Sequence, residues 1–600
     1  MSPTTMDPFT LQVIGHALIS ISREMGVTLS RTSCSPIFNE GNDYSCAIFD
    51  AHGQMVTHGE FLPIHLGSMV FATKVVTDAF GVEGLEPGDM VVFNDPYLGG
   101  THLPDVTFVA PVFCDDKLLG YAVNRAHQLD IGGTSAGSFY SEARENYQEG
   151  LRIEPVKLVH RGVLDEHLLD FIVGNTRLPD ELRVDFEAQM SANRTAIRRL
   201  TELAERYGAI GVQVAMTLIL DQSERRTRQA IRRLPDGEYR AQDFIDNNGI
   251  TDVPRVINIT VRIDGDEAEV DFTGSSEQVE GPLNSVLGCT CAGVYMVFQA
   301  ATDPDIEPNA GCYQPIKIFA PEGTIVNPRF PAPCTGGVET AIVVHNTMFR
   351  ALASIPRCED GGPRVMTCDQ GSGNNKIISG MDPRSGRKYV LYEYPEGGWG
   401  ANRDRDGHNA VWSIVGNITN VPVEVIEDQY PVRVERYELR TDSGGPGIHR
   451  GGLGIRRDIR VIGHEATVSI MGDRVRVPPW GFEDGLAGAP ASYTIDPGEP
   501  EQRPAATEFG SKVYNLALGA GEVLSQCTAG GGGWGDPSKR PPEAVAADVL
   551  AGYVSLQQAE EVYLVALSAD GLVDTDATLA LRAEQSASRE PRAVPANTRV

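Results

Sequence analysis

The chain has 600 residues, 41% of them hydrophobic and 22% charged, with a formal net charge of −30 at pH 7. That length exceeds a single hydrophobic core and implies several domains. With 51 Lys and Arg against 81 Asp and Glu, the sequence lacks the basic face that nucleic acid or an anionic membrane requires.

The N-terminus, MSPTTMDPF, has neither a basic n-region nor an apolar h-region. The most apolar short run, residues 212–220, is too brief to span a bilayer. The ten cysteines show no paired spacing beyond Cys289-x-Cys291, which fits reduced thiols in a cytoplasmic protein.

Asp7-Pro8 is an N-cap and first-turn pair, and Leu11, Ile14, Leu18, Ile21, Met25 and Leu29 follow at helical spacing. A long amphipathic helix therefore opens the chain. Residues 44–57 read as a strand, a turn at Asp50 to Gly53 and a returning strand. Glu40, Asp43, His58, Glu60 and His65 stand at the edges of that hairpin, each able to contribute a metal ligand or to serve as an ordinary turn residue.

The next stretch, residues 89–133, organises the rest. The apolar runs Val106 to Phe113 and Leu118 to Val123 flank Asp115-Asp116-Lys117, the pattern of a hairpin with a short turn. Antiparallel partners then have residue numbers that sum to about 231 or 232. Asp105 falls across from His127, and His102 across from Asp130. Two imidazoles and two carboxylates without a thiolate suit a divalent ion such as zinc, manganese or iron(II), or an acid/base set. The alternative is a group of polar hairpin-end residues that cap one another. Gly99-Gly100 and Gly132-Gly133 flank the group.

A helix is expected near residues 165–174, followed by two long helices, the first carrying Leu182 to Tyr207 and the second running from Gly211 to Leu234. Their Arg-rich faces, including Arg194, Arg198, Arg199, Arg225, Arg226, Arg232 and Arg233, read as solvated surface or as a docking face for an acidic partner. From residue 238 the texture changes to short strands and turns, with an alternating hairpin around Asp264-Gly265. Three Gly-rich stretches at 281, 369 and 396 have the composition of pocket-lining loops. Residues 541–567 read as helical, and the final 20 or so residues as disordered.

The expected fold class is α+β and multidomain, with an N-terminal α/β-hairpin region bearing long helices followed by β-rich mixed domains. The divisions are 1–237, carrying the metal-binding hairpin; 238–430, mixed and β-rich; 431–540, Gly-rich and β; and 541–600, a helix and a tail. No Walker pattern is present. No Gly-x-Ser-x-Gly stretch is read as a serine-hydrolase elbow.

The segments NEGNDYSCAIFDAHGQMV, LPIHLGSM, GDMVVFNDPYLGGTHLPDV, QEGLRIEPVKL, DSGGPGIHRGGLG and GGGGWGDP, in order along the chain, resemble the hydantoinase B/oxoprolinase family. The resemblance implies the B-type subunit of a hetero-oligomer whose A-type partner, of actin-like fold, binds ATP and magnesium and phosphorylates a carbonyl oxygen. A small cyclic amide (a hydantoin, 5-oxoproline or a lactam) would then be hydrolysed. It also implies one divalent metal, manganese or zinc, on His102, Asp105 and His127. Glu60 is the first choice for a fourth ligand, ahead of Asp130 and Glu40, and Asp130 is assigned as base or ligand-orienting group. Ketone carboxylation and a non-catalytic assembly role are the alternatives, and the sequence shows no large insertion of the kind expected of an acetone carboxylase subunit.

Overall fold

The computed structural model describes residues 6–59, 61–356, 362–505 and 509–588. Its first helix, Pro8–Thr32, starts where the Asp7 side chain accepts from the Thr10 N–H (2.9 Å) and buries Ile14, Leu18, Ile21, Met25 and Leu29. That stripe packs on the long helix Pro179–Tyr207.

The N-terminal region is built on an antiparallel seven-stranded sheet. Its order is Met55–His58, Tyr44–Asp50, Lys117–His127, Asp105–Cys114, Met90–Phe93, Val156–His160 and Val163–Leu164. The central hairpin pairs Asp105 with His127 and Val112 with Gly120; a bulge then shifts the pairing to Phe113 with Leu118. The pair sums are therefore 232, and 231 next to the turn, as the sequence predicts. Turn residues Asp115 and Asp116 both adopt positive φ (49° and 57°), which matches the twist of a tight hairpin. Both sheet faces are covered. Pro179–Tyr207 lies on one, with Phe186 edge-on to Phe108 (5.3 Å between centroids), and the helices Pro63–Met69 and Ala72–Phe80 lie on the other. The strands consequently read as nearly continuous apolar runs.

Pro179–Tyr207 and Ala209–Ile231 meet at 104° across Gly208, whose φ of 75° suits glycine. Of their arginines, Arg199 pairs with Glu24 and Glu202, Arg226 with Asp303, and Arg232 with Asp266. Among the described residues no single helix is long and apolar enough to cross a membrane. The described cysteines are all free thiols.

Strand Gly237–Ile245 begins a four-stranded sheet with Arg255–Asp264, Glu267–Asp271 and Ile316–Phe319. Two helices that the strand-like sequence texture hides, Leu287–Thr302 and Gly337–Ala353, pack against each other beside it. The second is buried almost all round, and its β-branched run Ile342 to Val344 reads as strand.

A third sheet orders Lys388–Glu393, Asn375–Met381, Ala466–Met471 and Lys512–Leu518, so the division expected at residue 430 runs through one sheet. A five-stranded sheet packs beside it. At the C-terminus, Pro542–Leu550 and Leu556–Glu561 are helical. Of the expected disordered tail, residues up to 588 belong to the helix Thr575–Ser588, and 589–600 lie outside the described residues.

The Gly-rich segments near residues 398–407, 443–454, 480–488 and 530–535 run side by side, largely outside helices and sheets. They are joined by Gly531 N–H to Gly452 O (2.9 Å), Gly452 N–H to Trp399 O (2.8 Å), Gly445 N–H to Gly531 O (2.8 Å) and Gly533 N–H to Leu486 O (2.9 Å). Backbone presses on backbone here. A Cβ at Gly531 would sit 2.0 Å from Trp399 O, and one at Gly452 would sit 1.9 Å from His408 O.

Candidate metal centre

Five ionisable side chains meet at the open end of the central hairpin. Asp105 and His127 are its last pair, and His102 precedes it by one turn, its carbonyl accepting from Asp105 N–H (3.0 Å). Asp43 immediately precedes Tyr44–Asp50, the strand that pairs with Lys117–His127, and its carbonyl accepts from His127 N–H (3.1 Å). His65 comes from the short helix Pro63–Met69. All five are buried.

His102 Nε2, His127 Nδ1 and Asp105 Oδ1 converge, with separations of 3.0 Å between the imidazoles and 3.3 and 3.2 Å to the carboxylate. Atoms bound to one ion at about 2.0–2.2 Å lie about 3.0–3.5 Å apart, so this triangle has the size of a coordination face. His102 Nδ1 faces the Thr335 carbonyl (3.1 Å), an acceptor, which places the proton on Nδ1 and leaves Nε2 as a donor atom. Asp105 Oδ2 is held by His65 Nε2 (3.1 Å) and by the Thr101 hydroxyl, while Oδ1 has no hydrogen-bond donor. These are the marks of a group that fits a divalent ion: N and O donors, outer partners on His102 and Asp105, and a buried oxygen left without a proton to accept.

Charge follows the same geometry. Burial opposes the charge of Asp105, yet His102 and His65 hold its carboxyl well below the usual range. Burial pushes His127 down to about 4, which keeps it neutral. Burial, reinforced by Asp105, drives Asp43 well above the usual carboxylate range.

The roof comes from the C-terminal half. The Tyr392 ring stacks on His127, 4.8 Å away at 8°. Its hydroxyl donates to Asn375 Oδ1 (2.5 Å), and Asn375 Nδ2 donates to Glu339 Oε1 (2.8 Å). Phe139, Tyr394, Trp412, Val338 and Ile418 complete a cavity of about 30 Å³. Below, Glu149 accepts from Cys334 N–H (2.9 Å) and Thr335 N–H (2.8 Å), fixing the loop whose carbonyl orients His102.

Of the residues singled out from sequence, His102, Asp105 and His127 are brought together, and Asp43 and His65 join them. Glu60 lies outside the described residues. His58 turns Nδ1 to Gly59 O (2.6 Å), and Glu40 is in a turn where its carbonyl accepts from the Thr419 hydroxyl. Asp130 is not brought to the cluster. The strand ends at His127, so no ladder pairs His102 with Asp130. Asp130 Oδ1 accepts from Gly132 N–H (3.0 Å) and Arg177 N–H (2.9 Å), and Oδ2 from Gly137 N–H (3.0 Å) and Arg177 Nη1 (3.0 Å). Asp130→Asn is therefore expected to lower stability by about 1–3 kcal/mol, with activity per folded molecule changed less than threefold. A tenfold loss of turnover at unchanged stability would return Asp130 to the chemistry.

Residues 133–137 do spell Gly-Thr-Ser-Ala-Gly, but the Ser135 hydroxyl bonds the Ser469 hydroxyl (3.1 Å), not a histidine. Asn375 is the last residue of the Gly-rich stretch DQGSGNN that begins at 369. Tyr392, Trp412, Thr335 and Glu149 carry no local sequence signal, because only the tertiary fold brings them to the hairpin.

The family model described as Hydantoinase B/oxoprolinase matches residues 7–537. The beta subunit of a caprolactamase from Pseudomonas jessenii is 35% identical, over 96% of this chain and 99% of its own. The B-type subunit of a putative D-/L-hydantoinase from Pseudomonas sp. (strain NS671) is 34% identical, over 96% and 98%. The crystal structure of the ATP-dependent caprolactamase from Pseudomonas jessenii superposes with a TM-score of 0.87 at 32% identity, covering 97% of this chain and all of that one. A nucleotide-free acetone carboxylase chain gives a TM-score of 0.90 over 98% and 84%, and at 19% identity it shows the shared fold alone.

Proposed function

This chain belongs to the hydantoinase B/oxoprolinase family, and from that premise we propose that it is the B-type subunit of an ATP-dependent enzyme opening a small cyclic amide. An A-type partner would use the ATP. The observation that carries this reading is the His102, Asp105 and His127 triangle, set in a mostly apolar cavity of a chain similar to one from a caprolactamase.

A divalent ion on those three residues would supply Lewis acidity and lower the pKa of water. The chain's own groups do the rest. Thr335 and Glu149 hold His102, His65 holds Asp105, and Tyr392 fixes the ring plane of His127. Asp43 lines the same cavity, with Oδ1 3.9 Å from His65 Nε2 and accepting no hydrogen bond, and with a divalent ion nearby to favour its ionised form it would be the acceptor for a proton from an attacking water. Phe139, Trp412 and Ile418 keep bulk solvent from the amide carbon.

The test is to assay the co-purified pair on lactams and hydantoins with ATP. Ring-opened amino acid and substrate-dependent ATP hydrolysis are expected from the pair, and no ATP hydrolysis from this chain alone. Carboxylated product dependent on bicarbonate, or robust ATP turnover by the isolated chain, would overturn the proposal.

A further inference from the structure

We infer that Glu339 is a positioning residue for this centre. It fixes the direction of the hydrogen-bond line from Glu339 through Asn375 to Tyr392, so that the Tyr392 hydroxyl offers the cavity an acceptor oxygen and no proton. The inference rests on the amide-hydrolase reading for its effect on turnover, while the direction itself belongs to this chain alone.

Glu339 is fully buried in the first turn of helix Gly337–Ala353. Its Oε2 accepts from the Ser372 hydroxyl (2.9 Å), and Gly373 N–H lies between both oxygens (3.0 and 2.9 Å). Ser372 has no choice of role. Its oxygen already accepts from Asn374 N–H (3.1 Å) and Asp473 N–H (3.0 Å), so its one proton goes to Glu339. An ionised carboxylate offers only lone pairs. Asn375 must therefore turn Nδ2 to Oε1 (2.8 Å), which leaves its Oδ1 facing Tyr392. The Tyr392 proton is spent on that oxygen, while the ring stays stacked on His127. The fit is close: a Cβ at Gly373 would sit 2.8 Å from Glu339 Oε1 and 2.9 Å from Asn375 Nδ2. Gly373 O also accepts from Trp412 Nε1 (3.3 Å), so one carboxylate steadies two walls of the cavity. That cavity, of about 30 Å³, has room for a water, and such a water can only donate to Tyr392.

The test is Glu339→Gln. Ser372 keeps an oxygen opposite it, so the new amide nitrogen takes the place of Oε1 and donates to Asn375. That amide then flips, Nδ2 turns to Tyr392, and the Tyr392 proton is released toward the cavity. Glu339→Gln/Asn375→Asp restores the direction, because a carboxylate at 375 accepts from both neighbours. The Raman doublet of a tyrosine ring separates a hydroxyl that donates from one that accepts. The share of Tyr392 is isolated by subtracting the Tyr392→Phe form of each chain. Spectra are taken above the value of about 7 to which burial lifts the Glu339 carboxyl. Tyr392 is expected to donate in the unaltered chain, to accept in Glu339→Gln, and to donate again in the double variant. In the co-purified pair, kcat for ring opening should fall about 10- to 100-fold in Glu339→Gln with KM little changed, and return to within about threefold in the double variant. An accepting Tyr392 in the unaltered chain overturns the inference, as does an unmoved signal in Glu339→Gln or a reversed signal with unchanged kcat. If the pair opens no ring, the amide reading fails separately, and the spectra of this chain alone decide the direction.

Discussion

His102→Ala and His127→Ala are each expected to remove the bound divalent ion and, with it, more than 99% of ring-opening activity, while the chain stays folded. The three donor atoms lie 3.0–3.3 Å from one another, so losing either imidazole leaves two donors for one ion. Loss of outer partners alone typically costs 10- to 100-fold in affinity, and loss of a ligand exceeds that. The two variants should differ in how the remaining protein responds. His102→Ala frees the Thr335 carbonyl and opens space against Phe139, whereas His127→Ala strips the ring under Tyr392. Elemental analysis of the purified chain, with circular dichroism to confirm folding, decides the matter. Full metal content in both variants would reject the assigned triangle.

The second large effect lies away from the chemistry. Glu393 joins two sheets: it contacts Lys376, its neighbour across the ladder, at 2.9 Å and Arg457 of the adjoining sheet at 2.6 Å, all three side chains being nearly inaccessible. The Lys376 contact is an ion pair without hydrogen-bond alignment, the Arg457 contact a true hydrogen bond. Glu393→Gln leaves two buried cations without their anion, and the expected cost is about 3–5 kcal/mol at pH 7. Burial opposes the Glu393 charge, yet Arg457 and Lys376 hold its carboxyl at about 2, below the ordinary 4.5. A depressed carboxyl stabilises the fold above its unfolded pKa, and that contribution is lost as pH falls from about 4.5 toward 2. Denaturant unfolding should therefore show a large gap between the two proteins at pH 7 that closes through the acid window. Parallel curves across that range would show that Glu393 is not the group responsible.

Local sequence information reaches as far as local geometry can carry it. Hairpin register follows from strand length and turn chemistry, so Asp105 opposite His127 is legible, and the opening helix follows from its cap and its apolar stripe. Asp130 is misplaced by the same register because the ladder does not extend past His127, where the chain leaves it to answer Arg177. The roof is not legible at all. Tyr392 is 265 residues from the histidine it stacks on, and nothing in its own neighbourhood marks it. Helix Gly337–Ala353 stays hidden because Ile342, Val343 and Val344 are β-branched and read locally as strand.

The contact of glycine backbones around Gly531 also sets the order of events when the chain is made. Gly531 accepts from Gly445, donates to Gly452 and lies against Trp399, residues of two segments that are synthesised well before it. Until residue 531 exists, those stretches have no partner for the same backbone groups, and glycine-rich chain is costly to hold still. The bundle can begin to assemble earlier, through Gly452 N–H to Trp399 O and Leu486 N–H to Pro446 O (2.7 Å), but it cannot be completed before residue 531 is made. Its closure is a late step with long chain separations to bridge, and the glycine backbones of the earlier segments keep unsatisfied groups until then.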